Sequence, residues 1–419
     1  MSRPLTVAIV GTGARGNIFA SFAERYPGRA RVVAVADPRA GRRDALADRH
    51  GVAADRRFGD WRNLADRRRL ADAVVIATPD REHVAPAKRF AELGYQVLLE
   101  KPLAPTRAEC LELVETIEKT GVVLAVGHVM RYTAYTDAVQ RAVADGRLGE
   151  LVGIDHVEPV GWWHFAHSYV RGNWRRADQA GPSILTKCCH DLDWLRYIVG
   201  RPALRVWSTG GLRYFTPANR PAGAADRCLD CDVEPDCPYS AVRLYLGFLG
   251  DAKREGWPLS VVTTDLTDRG VRQALRDGPY GRCVYGCDND VADHQVTTIE
   301  FDGGVTATLT MSAFTPSARR MTRIMGTRGY LDGDGSSARV TDFVTGRSGR
   351  LAIGPVTDDV PGGHAGGDFG VMSAFVEAIA TGDRSGIRSS AREALESHLM
   401  AFAAEESRMS GGEPVAVPS

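Results

Sequence analysis

The 419-residue chain lacks an excess of either charge, a dense set of cysteines and any long apolar run. Lys plus Arg and Asp plus Glu number 52 each, so no global field draws the molecule to nucleic acid or to an anionic membrane; the expected partner is a small molecule. No run approaches the roughly 18 apolar residues of a membrane span, and no charged and apolar leader precedes the first strand, so a cytoplasmic location is expected. Eight cysteines are too sparse for a disulfide scaffold, and clustered ones in a reducing compartment point to metal or chemistry instead. Repeats and low-complexity segments are also missing. The length exceeds the roughly 250–300 residues at which a single core stops growing, so two domains are expected.

What is present begins at once. The apolar run Val7-Ala8-Ile9-Val10 enters Gly11-Thr12-Gly13-Ala14-Arg15-Gly16, a buried strand meeting a glycine-rich turn before a helix. In a dinucleotide-binding turn Gly11 permits the tight bend, Gly13 lets the backbone approach a pyrophosphate, and Gly16 lets the helix pack closely on the sheet. The helix N–H groups then face the phosphates. A second strand, Arg31 to Ala36, ends in Asp37, 21 residues after Gly16. An acid at that distance suits a ribose 2′-hydroxyl and repels a 2′-phosphate, which favours NAD over NADP. Arg39, Arg42 and Arg43 are the rival signal, as a phosphate-holding cluster or a solvated helix face.

Alternation continues with helices over Arg39–His50 and Trp61–Arg69, a strand Ala73–Ala77, a helix to Leu93, a strand Gln96–Leu99, a helix Thr106–Thr120 and a strand Val122–Val126. These βα units predict a doubly wound parallel sheet of Rossmann type over residues 1–127. From 128 to 419 the pattern changes to an α+β domain. Strands at Leu151–Val157, Val296–Phe301, Val305–Met311 and Arg323–Met325 predict an open, mostly antiparallel sheet for substrate binding and oligomerisation. An open sheet face usually pairs with a second subunit, so a homo-oligomer, dimer or tetramer, is expected. Residues 213–293, rich in Cys, Asp, Gly and Pro, read as an insertion with little regular structure, and helices near Phe369–Ala380 and Ala391–Ser410 close the chain.

Glu100-Lys101-Pro102 follows the Gln96–Leu99 strand at the sheet edge where ligands of such folds bind. Together with Ala77-Thr78-Pro79-Asp80 and His83, with Gly127-His128-Val129-Met130-Arg131-Tyr132, and with His190-Asp191-Leu192-Asp193 before an apolar helical run, it resembles the Gfo/Idh/MocA oxidoreductases across both halves of the chain. The resemblance implies an NAD(P)-dependent enzyme acting on sugars or cyclitols, with Lys101 and His190 at the reacting carbon. Thr78, Pro79, His83, Glu100 and Lys101 then border the cofactor. Alcohol oxidation needs a base for the hydroxyl proton and a donor for the developing alkoxide while hydride leaves to nicotinamide; His190 suits the first task and Lys101 the second.

On one helix Thr186, His190 and Asp193 would stand at i, i+4 and i+7 and share a face, with Asp193 able to bond His190 or a substrate hydroxyl. Family members typically carry an Asp where this chain has Thr186, followed here by Lys187. Thr186 can bond but not titrate, and Lys187 either offers charge to an anionic substituent or snorkels to solvent. His128, Arg131 and Tyr132 are further substrate-side candidates. So are His164, His167, Trp174 and Arg175 in the aromatic and basic stretch Glu158–Arg176, which is costly to bury without polar partners and belongs at a cleft.

Cys228-x2-Cys231-x5-Cys237 in the insertion, with Cys283 or Cys287 as fourth ligand, suggests a structural zinc; separately buried thiols are the plain alternative. Cys188 and Cys189 read as helix-packing residues. Three functions compete: an NAD-dependent dehydrogenase of a sugar or cyclitol hydroxyl; an NAD-dependent glycosidase that oxidises transiently, eliminates, adds water and reduces back; and a sugar sensor without turnover, against which Lys101 and His190 both count.

Overall fold

The computed structural model describes residues 3–316, 319–355 and 364–418. The first half forms a six-stranded sheet in the order β3-β2-β1-β4-β5-β6, with β1 Leu5–Val10, β2 Ala30–Ala36, β3 Arg57–Phe58, β4 Ala73–Ile76, β5 Gln96–Leu99 and β6 Leu124–Val126. Every pairing is parallel. The central strands are apolar along their whole length because helices cover both faces, leaving no polar side to alternate with. The expected helices occur with shifted ends: Ala14–Arg25, Ala40–Arg49, Trp61–Ala65, Val84–Glu92 and Arg107–Thr120.

The second sheet has nine strands: β7 Leu151–Pro159, β8 Ala203–Gly211, β9 His294–Phe301, β10 Thr306–Ser312, β11 Met321–Gly326, β12 Gly329–Gly333, β13 Ala338–Asp342, β14 Ser348–Arg350 and β15 Val415–Ala416, in the order β14-β13-β12-β11-β7-β10-β9-β8-β15. All neighbours are antiparallel except β7 and β10, which run parallel. Alternation is clean on β9 and β10, where one face packs on the second core and the other meets solvent.

The closing helices, Gly367–Thr381 and Ala391–Met409, return to the first sheet. Phe369, Met372 and Phe375 join the core under β1, and Ala394, Leu395 and Leu399 join the core over β5, while Met400, Ala401 and Ala404 enter the core of the second sheet. The insertion is more ordered than its composition suggests. Helices Ala241–Leu246 and Asp268–Asp277 build a small core of Cys228, Ala241, Tyr245, Leu259, Val271, Leu275 and Tyr280. These seven side chains among turn-forming residues suffice because the cluster leans on its neighbours: His167 is stacked on Tyr280 at 4.8 Å.

Candidate active site

The nucleotide turn is fixed sterically. A Cβ on Gly11, at φ 89°, would lie 2.4 Å from the Ala77 carbonyl oxygen, and one on Gly16 would lie 1.9 Å from that of Gly11, so both must be glycine. At Gly13 there is open space instead. Gly13 caps the Ala14–Arg25 helix with no side-chain bond, the first turn holds no acid, and the buried Thr12 hydroxyl is unpartnered. Free N–H groups, an open approach and a spare hydroxyl fit a pyrophosphate. Asp37 is buried beside the turn, accepting from Thr12 N at 2.9 Å and from Arg39 N at 2.8 Å. Burial favours its acid form, but the Arg39 and Thr12 hydrogen bonds prevail and hold the carboxyl below the ordinary range.

The three arginines that rival Asp37 are already engaged. Arg39 folds onto Asp37 at 3.1 Å, Arg43 pairs with Asp44 at 3.0 Å, and Arg42 donates to the Ser260 carbonyl of the insertion at 3.2 Å. Arg15 leaves the glycine turn to pair with Glu100 and, at 2.6 Å, with Asp368. Glu100 also accepts from Lys101 N at 2.6 Å. The turn, the end of β5 and the Gly367–Thr381 helix are thereby tied together. His83 is the other tie: its two ring nitrogens face the Pro102 and Thr78 carbonyls at 2.6 and 2.9 Å, and the residue is fully buried. It clamps two loops and has no face left for a cofactor, which corrects the expectation placed on it.

Lys101 Nζ donates to the Thr186 carbonyl oxygen at 2.8 Å and has no carboxylate partner among the described residues. His190 is nearly buried, and its Nδ1 makes no hydrogen bond. Burial first, then the charges of Lys101, His128, His364 and Arg320, push its pKa well below the usual histidine value. A neutral imidazole near an unpaired ammonium is an acid–base pair in waiting.

The helix expected to align Thr186 with His190 and Asp193 is broken. Ser183–Thr186 and Cys189–Val199 are separate segments joined through Lys187 and Cys188. Thr186 contributes its carbonyl oxygen, while its hydroxyl turns back to Pro182 O at 3.2 Å. Asp193 is fully buried and gripped by Arg131 through two hydrogen bonds of 2.7 and 2.8 Å, so it does not reach His190. Arg131 also donates to the Arg388 carbonyl, and the Tyr132 hydroxyl stands 3.0 Å from Ser389. Arg131 and Tyr132 therefore hold the scaffold behind the site. His128 lies wholly inside, its ring 5.7 Å from that of His190; neither nitrogen makes a hydrogen bond, and Nε2 stands 3.9 Å from Asp193 Oδ1.

Lys187 does not offer a free charge. Glu158 sits 3.3 Å from it and 2.7 Å from Arg320, and Arg320 also pairs with Asp191. His156 Nε2 completes this cluster 2.9 Å from Asp191 Oδ1. Burial works against the charge on Asp191, yet Arg320 and His156 hold its carboxyl well below the usual range. Two cations meet two anions, which removes the reason to expect an anionic substituent at Lys187. No local pattern points to Arg320, 129 positions from Asp191.

Trp174 donates to Asp80 at 2.9 Å across the gap between the sheets, and Arg175 pairs with Asp288 at 2.9 Å rather than facing a ligand. His167 bonds Tyr245 at 2.7 Å and anchors the insertion; burial and Arg171 push it down to about 3. His164 stands against Trp163 and Trp257, within the field of Lys187 and Lys101, and is the histidine of this stretch best placed on the cleft. Tyr169, beside Thr186 and Asp80, is buried in the second core and stacked on Phe165 at 5.1 Å.

The zinc expectation finds no ligand set: among the described residues no three of His, Cys, Asp and Glu form a metal-binding group. Cys228, Cys231, Cys237, Cys283 and Cys287 are all free thiols. The first four line a cavity of about 20 Å³ with Arg171, whose Nη2 lies 3.5 Å from Cys228 Sγ. Cys287 instead turns its Sγ to the Cys283 carbonyl at 3.3 Å.

The buried imidazoles make stability depend on pH. Burial depresses His128, His167, His190 and His398, the last to about 3, whereas unfolded histidine titrates near about 6.5. Below that value the unfolded chain takes up protons that the fold refuses, so this stability is complete above it and is lost as pH falls toward the depressed values. The melting midpoint is expected to drop between about pH 7 and about pH 5; an unchanged midpoint would mean that these rings charge freely in the folded state.

A glycine turn over a parallel sheet, an acid on its second strand and a Lys–His pair at the cleft define a dinucleotide-binding oxidoreductase. Residues 5–128 match the oxidoreductase family NAD-binding Rossmann fold, and residues 140–417 match that family's C-terminal alpha/beta domain. The chain belongs to the Gfo/Idh/MocA oxidoreductase family. It is 30% identical over 204 residues to a 2,7-anhydro-N-acetylneuraminate hydratase of Mediterraneibacter gnavus, a match covering 49% of this chain and 52% of that one. To a D-glucoside 3-dehydrogenase of Escherichia coli it is 30% identical over 212 residues, covering 50% and 56%. The chain thus spans about half the length of these curated relatives. In fold it is similar to an Agrobacterium radiobacter oxidoreductase solved with NAD+, L-tartaric acid and magnesium, with TM-score 0.70 at 18% identity over 99% and 98% of the two chains. No helix of the described residues is long and apolar enough to cross a membrane.

Proposed function

We propose that the protein is an NAD-dependent oxidoreductase that oxidises a secondary hydroxyl of a sugar, sugar derivative or cyclitol. The observation that carries this reading is the pairing of a carboxylate-free Lys101 ammonium with a neutral, unpartnered His190 imidazole at the end of β5. When bound, NAD supplies the acceptor for the hydride. The chain does the rest. His190 takes the hydroxyl proton, Lys101 donates to the developing alkoxide, and the Thr186 carbonyl keeps Lys101 aimed. Thr12 and the free N–H groups after Gly13 hold the pyrophosphate, and Asp37 takes the ribose hydroxyls. His164, with Trp257 against it, offers an aromatic wall to a sugar ring.

Likeness to a hydratase supports a second reading, in which the same hydride step is used transiently and reversed within one turnover. Incubation with NAD, myo-inositol and chromogenic glycosides separates the two: NADH accumulates in the first, aglycone leaves without net NADH in the second, and neither product would refute both.

NAD(H) is expected to bind more tightly than NADP(H), because a 2′-phosphate would meet the buried Asp37 carboxylate, onto which Arg39 is already folded, while Arg42 and Arg43 are engaged elsewhere. Asp37→Ala should narrow the gap in dissociation constants. Tighter NADP(H) binding by the wild type would transfer control to Arg39. The outer face of the second sheet carries Val296, Thr310, Val157 and Met321 as one cross-strand row, Val296 and Met321 being exposed. Such a face supports a homo-oligomer, and light scattering that finds a monomer at working concentration would remove it.

A further inference from the structure

We propose that His364, held by Asp368, carries the proton from His190 out to solvent. This rests on His190 acting as the base under the proposed function. A base inside a nearly closed site must lose its proton before the next turnover, and two imidazoles flank His190 to receive it. His128 is 5.7 Å away, ring centre to ring centre, and His364 is 6.1 Å away. Exposure decides between them. His128 is 0% exposed, so a proton passed there remains in the interior between Asp193 and Arg131; the His364 side chain is 33% exposed and borders water. The separation from His190 suits one bridging water.

His364 is also set up for the task. Its Nδ1 stands 2.9 Å from Asp368 Oδ2, which fixes a proton on Nδ1 and leaves Nε2 to accept. Asp368 is 1% exposed and receives Arg15 Nη2 on its other oxygen at 2.6 Å. Burial opposes the charge on Asp368, but Arg15 and His364 keep it ionised. Arg15 belongs to the glycine turn and also grips Glu100, so the orientation of His364 is anchored in the nucleotide cradle. The charged and titratable groups facing it are Asp368, Arg15 and His190, with Lys101, His128 and Arg320 acting on His190 from beyond.

The steps balance. The substrate C–H bond breaks and its electron pair leaves as hydride to NAD; the O–H bond breaks and its proton forms an N–H bond on His190. That N–H then breaks, the proton bonds to Nε2 of His364, and His364 releases it to water. Nothing else is oxidised or reduced.

The test uses the full chain with NAD and either myo-inositol or methyl β-D-glucopyranoside. His364→Gln should lower kcat about tenfold or more and recover with added imidazole, which replaces the missing carrier, while NAD affinity and melting midpoint stay at wild-type values. His364→Ala, which leaves Asp368 paired with Arg15, should lose as much turnover and recover likewise with imidazole, and serves if the first variant folds poorly. Unchanged kcat, or a loss that imidazole does not restore, overturns the relay and leaves the oxidoreductase reading standing. If the wild type oxidises neither sugar, the histidine ring nitrogens of the NAD complex are followed by NMR against pH. Linked titration of His190 and His364, abolished in His364→Gln, is the expected result; independent titration overturns the relay.

Discussion

Lys101→Ala is expected to lower turnover by about 10²–10⁴ while leaving NAD affinity within about twofold of wild type, and His190→Ala should do the same. The separation follows from placement. Lys101 makes one side-chain hydrogen bond, to the Thr186 carbonyl, and no ion pair among the described residues, so its removal leaves no buried carboxylate unpaired. The pyrophosphate cradle at Gly11, Gly13 and Gly16 and the ribose-side Asp37 keep their own geometry. With His190 depressed by burial and by Lys101, the acid limb of the pH–rate profile should fall below the ordinary histidine range rather than near neutrality. Variants that lose NAD binding in parallel with turnover would place Lys101 and His190 in the cradle instead.

Asp193→Ala is expected to act on stability. Arg131 would be left 4% exposed without the carboxylate that takes two of its N–H groups, a loss of about 3–5 kcal/mol for breaking a buried pair. In a chain of 419 residues that is roughly a 3–6 °C fall in melting midpoint. The kcat of the folded fraction, measured well below the midpoint, should stay near wild type because Asp193 does not reach His190. A catalytic collapse with an unchanged midpoint would return Asp193 to the reacting constellation that its spacing suggested.

The difference between the Lys101 and Asp193 predictions shows what could be read from the chain beforehand. The Rossmann half was legible because its signals are local: Gly11 and Gly16 answer to steric conflicts within the turn, and β1, β2, β4 and β5 are short apolar runs followed by helices. Lys101 and His190 were expected at the site from the motifs around them. Asp193 was misread because a helical spacing was extended through Lys187 and Cys188, where the helix breaks. His83, Arg131 and Tyr132 are polar residues near a cleft whose partners are backbone carbonyls or distant side chains such as Ser389. Pairing of that kind leaves no trace in a linear pattern. Arg320 and His364 lie more than 120 positions beyond His190 and reach the site only through the fold. The thiols had metal-like spacing, but spacing does not fix where sulfur atoms point, and Cys287 turns to a carbonyl.

Deuterium transfer tests the central claim most directly. Wild-type protein is incubated in ordinary water with NAD and with myo-inositol or methyl β-D-glucopyranoside bearing deuterium on the ring carbons, and the cofactor is then examined by mass spectrometry. Hydride transfer at the Lys101–His190 cleft predicts deuterium on the nicotinamide ring with the wild type and at least about 10²-fold less with Lys101→Ala. In the transient reading the same face of the nicotinamide returns the deuterium to the ring carbon, so the cofactor ends unlabelled and the prediction belongs to net oxidation. Net oxidation of the sugar with no deuterium reaching the cofactor would contradict the account.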